Sequence, residues 1–486
     1  MLSFFLCLAI LIAGYFWYGA YVEKSCQPLI DDRKTPAYKH EDDIDYVPMD
    51  TSRVFLIQLL NIAGLGPIFG ALSGALWGPV VFLWITLGTL LAGGVHDYYS
   101  GIISERNNGV SISEVIGKYL GRRPRYAARA LSILLLLLSG VTFTTVAAGM
   151  LTKISPLWMN YNFWLIVLLL YYFLATFVPI DKVIGRLYPF FGVCLFFMAV
   201  GVGVMLFVKG YHVPEITLKN LHPEHAQLWP MLFVTVSCGA ISGFHATQSP
   251  LMARCLETER DAGKIFFGAM VCEGVITLIW AAVGCAFYRD TVGLSQAMVA
   301  LQGTDNVVYD ICHGLMGPRG ALVALLGIIA CPITSADTSL RSLRYTISDW
   351  FQLQQDSVNN RLMLSLPIVL LVGALTQLGV TPVWQYFSWL TQVLAMLVLW
   401  AASIYLFANK GNYWVTVIPA TFMSMVCGTY ILVDKIGLQI PAALAYPLGI
   451  AFAILCFWFF DKRTDAIVRG KLKLEDALVK EESLEK

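Results

Sequence analysis

Charge is what this 486-residue chain has least of. Asp, Glu, Lys and Arg supply 13% of its residues, against roughly 25% in an average soluble domain. The hydrophobic share is 57%. That imbalance excludes a chain that lives in water and places this one in a membrane. The net charge of +1 is too small, and the basic residues too scattered among short stretches, for a nucleic-acid partner. Any C-x-x-C pair is missing too. The eleven cysteines, an odd number, have no framework spacing, and Cys194, Cys238, Cys272, Cys285, Cys331, Cys427 and Cys456 lie within or at the edges of apolar runs, as small buried hydrophobes do. Without G-x-x-x-x-G-K-[ST] there is no ATP-driven pump in this chain alone, and neither G-x-S-x-G nor H-E-x-x-H is present. The first apolar run, Leu2 to Ala20, lacks a basic start and a small-residue cleavage pattern, so a retained span is expected in place of a signal peptide.

Apolar runs of about twenty residues, each able to cover roughly 30 Å of hydrocarbon as helix, recur along nearly the whole chain. They predict an all-α polytopic membrane protein with about 13 spans, near 2–20, 54–72, 77–98, 127–150, 162–180, 187–209, 228–248, 264–288, 319–338, 361–378, 383–407, 413–433 and 440–460. With the N-terminus outside, 26 of the 33 Lys and Arg fall in alternate, inward connections and six in the outward ones. The rule that basic residues stay cytoplasmic then puts the C-terminus inside. A four-part organisation results: an extra helix and linker (1–53), a transport core (54–407), two further helices (408–460) and a charged cytoplasmic tail (461–486).

Three stretches break their own helices. In "NIAGLGPIFG", Asn61 to Gly70, Pro67 lacks an N–H and Gly64, Gly66 and Gly70 weaken the helix, so main-chain groups are freed that protein, water or a ligand must satisfy. "VSCGAISGFHATQSP", Val236 to Pro250, combines Gly239 and Gly243 with a density of polar side chains that lipid does not tolerate. "CPITSADTSLRS", Cys331 to Ser342, has Pro332 as its breaker. The first two lie five spans apart and run in opposite directions, the expected mark of a five-plus-five inverted repeat whose discontinuous helices meet near the midplane. Half-helix N-termini there offer N–H groups to a carboxylate, and carbonyl ends offer oxygens to a cation.

Asn61, Gly64, Gly66, Ser237, Ser242, His245 and Thr247 are the expected substrate-binding set, with His245 also able to exchange a proton. Asp337 is the carboxylate of the ninth run; with Ser335 and Thr338 it could handle a coupling ion, or it could pair with Arg341 one turn on. Glu273 is a further intramembrane acid suited to proton relay. His96 and Asp97, in "GGVHDYYSG", are expected at a solvated helix end with a gating role, because sequence neighbours do not face each other on a helix. His212, His222 and His225 crowd one outer connection, but their spacing does not make a metal site. No cofactor is expected beyond a coupling Na⁺ or H⁺.

The segments "TPAYKHEDDIDYVP" (Thr35 to Pro48), "NIAGLGPIFG", "LWITLGTLLAGGVHDYYSG" (Leu83 to Gly101), "FVTVSCGAISGFHATQSPLMARC" (Phe233 to Cys255) and "PITSADTSLRS" (Pro332 to Ser342) resemble the carbon starvation protein family, CstA. Its members are described as peptide or pyruvate transporters of the bacterial inner membrane. The resemblance implies a leucine-transporter-like core of five plus five inverted helices, related to the amino acid–polyamine–cation superfamily. It also puts the ninth span where sodium-coupled relatives form a sodium site. Larger members carry Gly-His-His-Phe before the first break, where this chain reads "LIQL", Leu56 to Leu59. The expected function is import of a small carboxylate-bearing solute by alternating access. A channel would need an uninterrupted polar path, and a membrane enzyme a nucleophile–base pair that the sequence does not identify.

Overall fold

The apolar runs fold as helices in the computed structural model, which describes residues 1–26, 33–42, 45–175, 180–353, 358–378, 380–472 and 474. In chain order these are α1 (Leu2–Lys24), α2 (Thr51–Ile62), α3 (Gly66–Trp77), α4 (81–106), α5 (Ile112–Leu120), α6 (Arg122–Lys153), α7 (Tyr161–Ala175), α8 (Ile180–Val208), α9 (Met231–Thr235), α10 (Gly243–Ala253), α11 (Glu259–Ala286), α12 (Thr291–Ala300), α13 (Thr304–Phe351), α14 (Val358–Leu375), α15 (Val380–Ala408), α16 (Trp414–Val433) and α17 (Ala442–Val468). No strand occurs among the described residues. One isolated bridge, Met49 to Leu256, ties the approach to α2 to the exit from α10.

Eight described helices are long and apolar enough to cross a bilayer, or nine with the bent pair α2–α3, against the thirteen expected. The remaining stretches differ for physical reasons. The apolar run of α4 ends at His96 and Asp97, α9 and α10 are only 5 and 11 residues long, and α7 and the apolar part of α14 are too short on their own.

Both glycine-rich breaks are present. Asp50 starts α2 by accepting a hydrogen bond from Ser52 N (3.0 Å), and the helix stops at Ile62. α3 then restarts at a 51° bend, with Pro67 in its first turn, where the missing N–H costs nothing. The second span loses helix from 236 to 242 and restarts when Ser242 Oγ accepts from Phe244 N (3.2 Å). A Cβ on Gly66 would lie 2.2 Å from Cys238 Cβ, one on Gly70 3.0 Å from Thr235 O and one on Gly74 2.3 Å from a Val236 methyl. As numbers rise along α3 they fall along the second span, so the two broken segments lie antiparallel and in direct contact.

The third expected break is absent. α13 passes through Pro332 as helix and leaves helical geometry only at Gly317 (φ 68°, ψ 177°), so the span expected to end at 338 runs on to Phe351. Proline removes one N–H, and in a packed bundle neighbouring helices and hydroxyls absorb that loss. Connection 101–126 is likewise not a plain loop: α5 buries Ile112, Val115, Ile116, Tyr119 and Leu120, one face at helical spacing. The charged tail expected from Asp461 begins as the last two turns of α17; residues 475–486 lie outside the described residues. α13 packs along α6 and α8, while α10 is held between α2, α4 and α15, which places the second break at the centre of the molecule.

Candidate site at two helix breaks

Where α2 stops, the carbonyls of Leu60 and Asn61 lose their helical partners. α13 supplies replacements: Ser335 Oγ donates to Asn61 O (2.8 Å), and Thr334 Oγ1 lies 3.4 Å from Leu60 O and 2.9 Å from Cys331 O. The hydrogen of Gly64 allows α13 to approach the break, since a Cβ there would stand 3.0 Å from Ser335 Oγ. Thr338, expected among the ion-handling residues, turns away and bonds back to Thr334 O (3.0 Å) and Ser335 O (3.2 Å) of its own helix. Thr334 takes its place. Helical periodicity does not separate the two, because 334 and 338 share one face of α13 and differ by one turn along it.

At the second break Trp84 Nε1 donates to Val236 O (3.0 Å), Thr89 Oγ1 to Gly239 O (3.0 Å) and Gln392 Nε2 to Ile241 O (2.9 Å). Sequence reasoning missed all three donors. Polar groups inside the apolar runs of α4 and α15 were the available sign. Every residue from Leu60 to Leu72 and from Val236 to Leu256 is buried, so both breaks are shut off from solvent.

The breaks adjoin a line of four titratable side chains from three helices, all 0% exposed. His96 Nδ1 is 2.7 Å from Asp97 Oδ1, the other Asp97 oxygen is 2.9 Å from His245 Nδ1, and His245 Nε2 stands 3.4 Å from Glu273 Oε2. The outer members are incompletely satisfied: His96 Nε2 and both Glu273 oxygens are buried without a hydrogen-bond partner. The expectation for His96 and Asp97 is corrected here. They do pair as sequence neighbours, through the near ring nitrogen, and they sit in the core instead of at a wet helix end. Gly93 explains the burial: a Cβ there would be 2.2 Å from Ala240 O, so α4 presses directly on the second break and carries the next residues inward. Ser100 Oγ lies 3.0 Å from Asp97 O and 2.9 Å from Ser249 Oγ, which in turn donates to His245 O (3.0 Å), fixing α4 to α10 beneath the line.

Other expected residues lie apart. Ser237 Oγ is 3.9 Å from Cys238 Sγ, and Thr247 Oγ1 donates to Phe244 O of its own helix (2.6 Å). Asp337 is buried on another face of α13. There Arg341 Nε is 3.4 Å from its Oδ1 and the same guanidinium donates to Ala175 O at the end of α7 (2.5 Å). Gln58, in the "LIQL" stretch and absent from the expected set, is fully buried with neither amide atom hydrogen-bonded. In the connection 209–230 the His222 ring lies 4.5 Å from that of Trp77, tilted by 55°.

The family model for carbon starvation protein CstA matches residues 1–160 and 152–309, and the chain belongs to that family. An uncharacterized membrane protein of Haemophilus influenzae is 40% identical over 62% of this chain and 95% of its own length. The peptide transporter CstA of Escherichia coli is 23% identical, covering 86% of this chain and 79% of the relative. The pyruvate/proton symporter BtsT of the same organism is 25% identical over 56% of this chain, which spans about half (47%) of that relative. Among solved structures, a manganese transporter of Eremococcus coleocola aligns over 88% of this chain and 99% of its own at a TM-score of 0.54 and 14% identity. A Na⁺-coupled sialic acid symporter aligns over 96% and 97% at 0.53 and 13%. At such identities the likeness is one of fold. The chain is a multi-pass, all-helical membrane protein with the fold of secondary transporters.

Proposed function

We propose that this chain is a secondary active transporter of the bacterial inner membrane that imports a small carboxylate-bearing nutrient, pyruvate or a short peptide, by alternating access. The observation that carries the reading is the pair of antiparallel helix breaks, sealed from solvent and placed against the His96–Asp97–His245–Glu273 line. Two relatives named as a peptide transporter and a pyruvate/proton symporter support the substrate class. The lysine and arginine bias supports an outside N-terminus and a cytoplasmic C-terminus, and the opposed breaks support a five-plus-five inverted repeat.

In this reading the substrate carboxylate lies at the first break, against Asn61 and the N–H groups that Gly64 and Gly66 leave open, with Ser237 and Ser242 across from it. The coupling ion is a proton. His245 stands between two carboxylates from two other helices, so a proton added to or taken from the line changes the charge balance of three elements at once. Burial makes that change expensive unless the helices move, which ties proton transfer to opening and closing. Glu273, with free lone pairs, receives the proton, and Asp97 with His96 orients the central imidazole. Asp337, held by Arg341, braces the core. The sealed breaks favour this over a channel, and the likeness to transporters favours it over a membrane enzyme.

A sodium-coupled version is the second reading, favoured by the Thr334 and Ser335 hydroxyls set against the Leu60 and Asn61 carbonyls at the first break. An oxygen set of that kind suits a hard monovalent cation. Uptake of labelled pyruvate and of dialanine into proteoliposomes, under separately imposed proton and sodium gradients, tests the proposal. Concentrative uptake of at least one driven by the proton gradient is expected; uptake that ignores both gradients would remove secondary active transport.

A further inference from the structure

α10 leads from the second break straight to Arg254, its last residue's neighbour, over eleven helical residues or about 16 Å of rise. Arg254 is 8% exposed, and what surrounds it is unusual for a buried cation. Its guanidinium lies between the rings of Tyr46 (5.0 Å) and Tyr345 (5.1 Å), and its Nε donates to Gly109 O (2.9 Å). No carboxylate closes an ion pair with it among the described residues. A guanidinium buried on ring faces and one carbonyl still has bidentate donors to offer, and an arriving carboxylate is the partner that fork matches.

Two cavities meet at this side chain. On one side is a narrow void of about 20 Å³ between α5, α10 and α13, lined by Ile112, Pro250 and Leu251 together with Ser113, Thr247 and Ser342. On the other is an open cavity of about 660 Å³ walled by Arg125, Arg129, Tyr126 and Trp350, with Glu114 and Asp349. Glu114 is shared by Arg125 (3.1 Å) and Arg129, so three guanidinium groups face two carboxylates and the cavity keeps a positive balance. Arg254 is the residue common to both spaces, and Tyr345 beside it is held by its hydroxyl, which donates to Asp45 and accepts from Arg344 Nη2 (2.7 Å).

We propose that Arg254 is a carboxylate-docking residue on the inward path, which the substrate meets after leaving the helix breaks and before release into the cytoplasmic cavity. The inference rests on the reading that the substrate bears a carboxylate. Binding there draws the guanidinium off the Tyr46 and Tyr345 rings, and the narrow void then opens into the basic cavity. Arg254 therefore sets the affinity of the cytoplasmic face while leaving that of the outer face alone.

The test measures half-saturating concentrations of pyruvate and of dialanine from each face, in right-side-out and inside-out membrane vesicles carrying the full chain. Arg254→Gln is expected to raise the cytoplasmic value about tenfold and to hold the outer value within about twofold; Arg254→Lys, which keeps the charge but not the fork, is expected to raise it about threefold. The unchanged outer value doubles as the control for folding. Equal shifts on both faces, or none on the cytoplasmic face, overturn the proposal. So does a cytoplasmic effect that inorganic phosphate reproduces without competing with pyruvate, or one that vanishes when phosphatidylglycerol is left out of the vesicles, since the site would then hold phosphate or a lipid headgroup. If the unaltered protein shows no saturable transport of either compound from either face, the functional reading itself falls, and the Arg254 variants are not what decided it.

Discussion

At the first break the displaced carbonyls of Leu60 and Asn61 are met by two hydroxyls of a single helix, α13. At the second, those of Val236, Gly239 and Ile241 are met by an indole, a hydroxyl and an amide from α4 and α15. The difference is one of replaceability. Hydroxyls that donate can turn and accept, so the α13 pair can present its oxygens to an ion without moving a helix. At the second break Thr89 alone is a hydroxyl, and the Trp84 indole can only donate, so that break is the more fixed frame for the titratable line beside it. One break is suited to exchanging ligands, the other to keeping His245 in place between Asp97 and Glu273.

The sharpest way to break that contrast is His245→Ala. It strands two buried carboxylates without the base between them, a change worth about 3–5 kcal/mol, and gradient-driven uptake is expected to fall on the order of 100-fold. Uptake assays at matched membrane expression give the answer, and near-normal accumulation would remove the line from the mechanism. Gly66→Ala comes next. The new Cβ would meet Cys238 Cβ at 2.2 Å, overpacking that costs about 1–3 kcal/mol, and transport should drop roughly tenfold. Adding Cys238→Gly should restore it if the contact between breaks is the cause. Ser335→Ala leaves Asn61 O without its donor, a loss of about 1–3 kcal/mol. A few-fold fall in uptake with intact proton dependence is expected, whereas loss of a sodium requirement in that variant would favour the sodium reading. Asp337→Asn should have the smallest effect on transport, since Asp337 lies on another face of α13, but a lower thermal midpoint in detergent, because its partner Arg341 would keep a buried charge.

Much of this arrangement is readable in the residues. Gly64, Gly66 and Pro67, and the glycines around Ser242, locate both breaks because backbone chemistry is local. Pro332 misled for the same reason: whether a proline breaks a helix depends on neighbours that no local pattern names, and α13 has enough of them to stay helical. The titratable line was legible only as separate members. Asp97 and His245 are 148 positions apart, and nothing in one apolar run states which residue of another will face it. His96 and Asp97 looked like a solvated end because a polar pair closes an apolar run, but Gly93 buries them by letting α4 approach Ala240. Thr334 was separable from Thr338 only once the level of the break along α13 was known, since the two share one face. Arg254 sits in a quoted motif, but its unpaired burial is a property of packing.

The central claim is that the His96–Asp97–His245–Glu273 line carries the coupling proton, and proton entry measured alongside substrate entry tests it most directly. Proteoliposomes loaded with a pH-sensitive dye should acidify as pyruvate or dialanine enters the unaltered protein. With Glu273→Gln, substrate exchange between equal pools should persist while acidification stops. Acidification that continues in step with substrate in that variant would contradict the account.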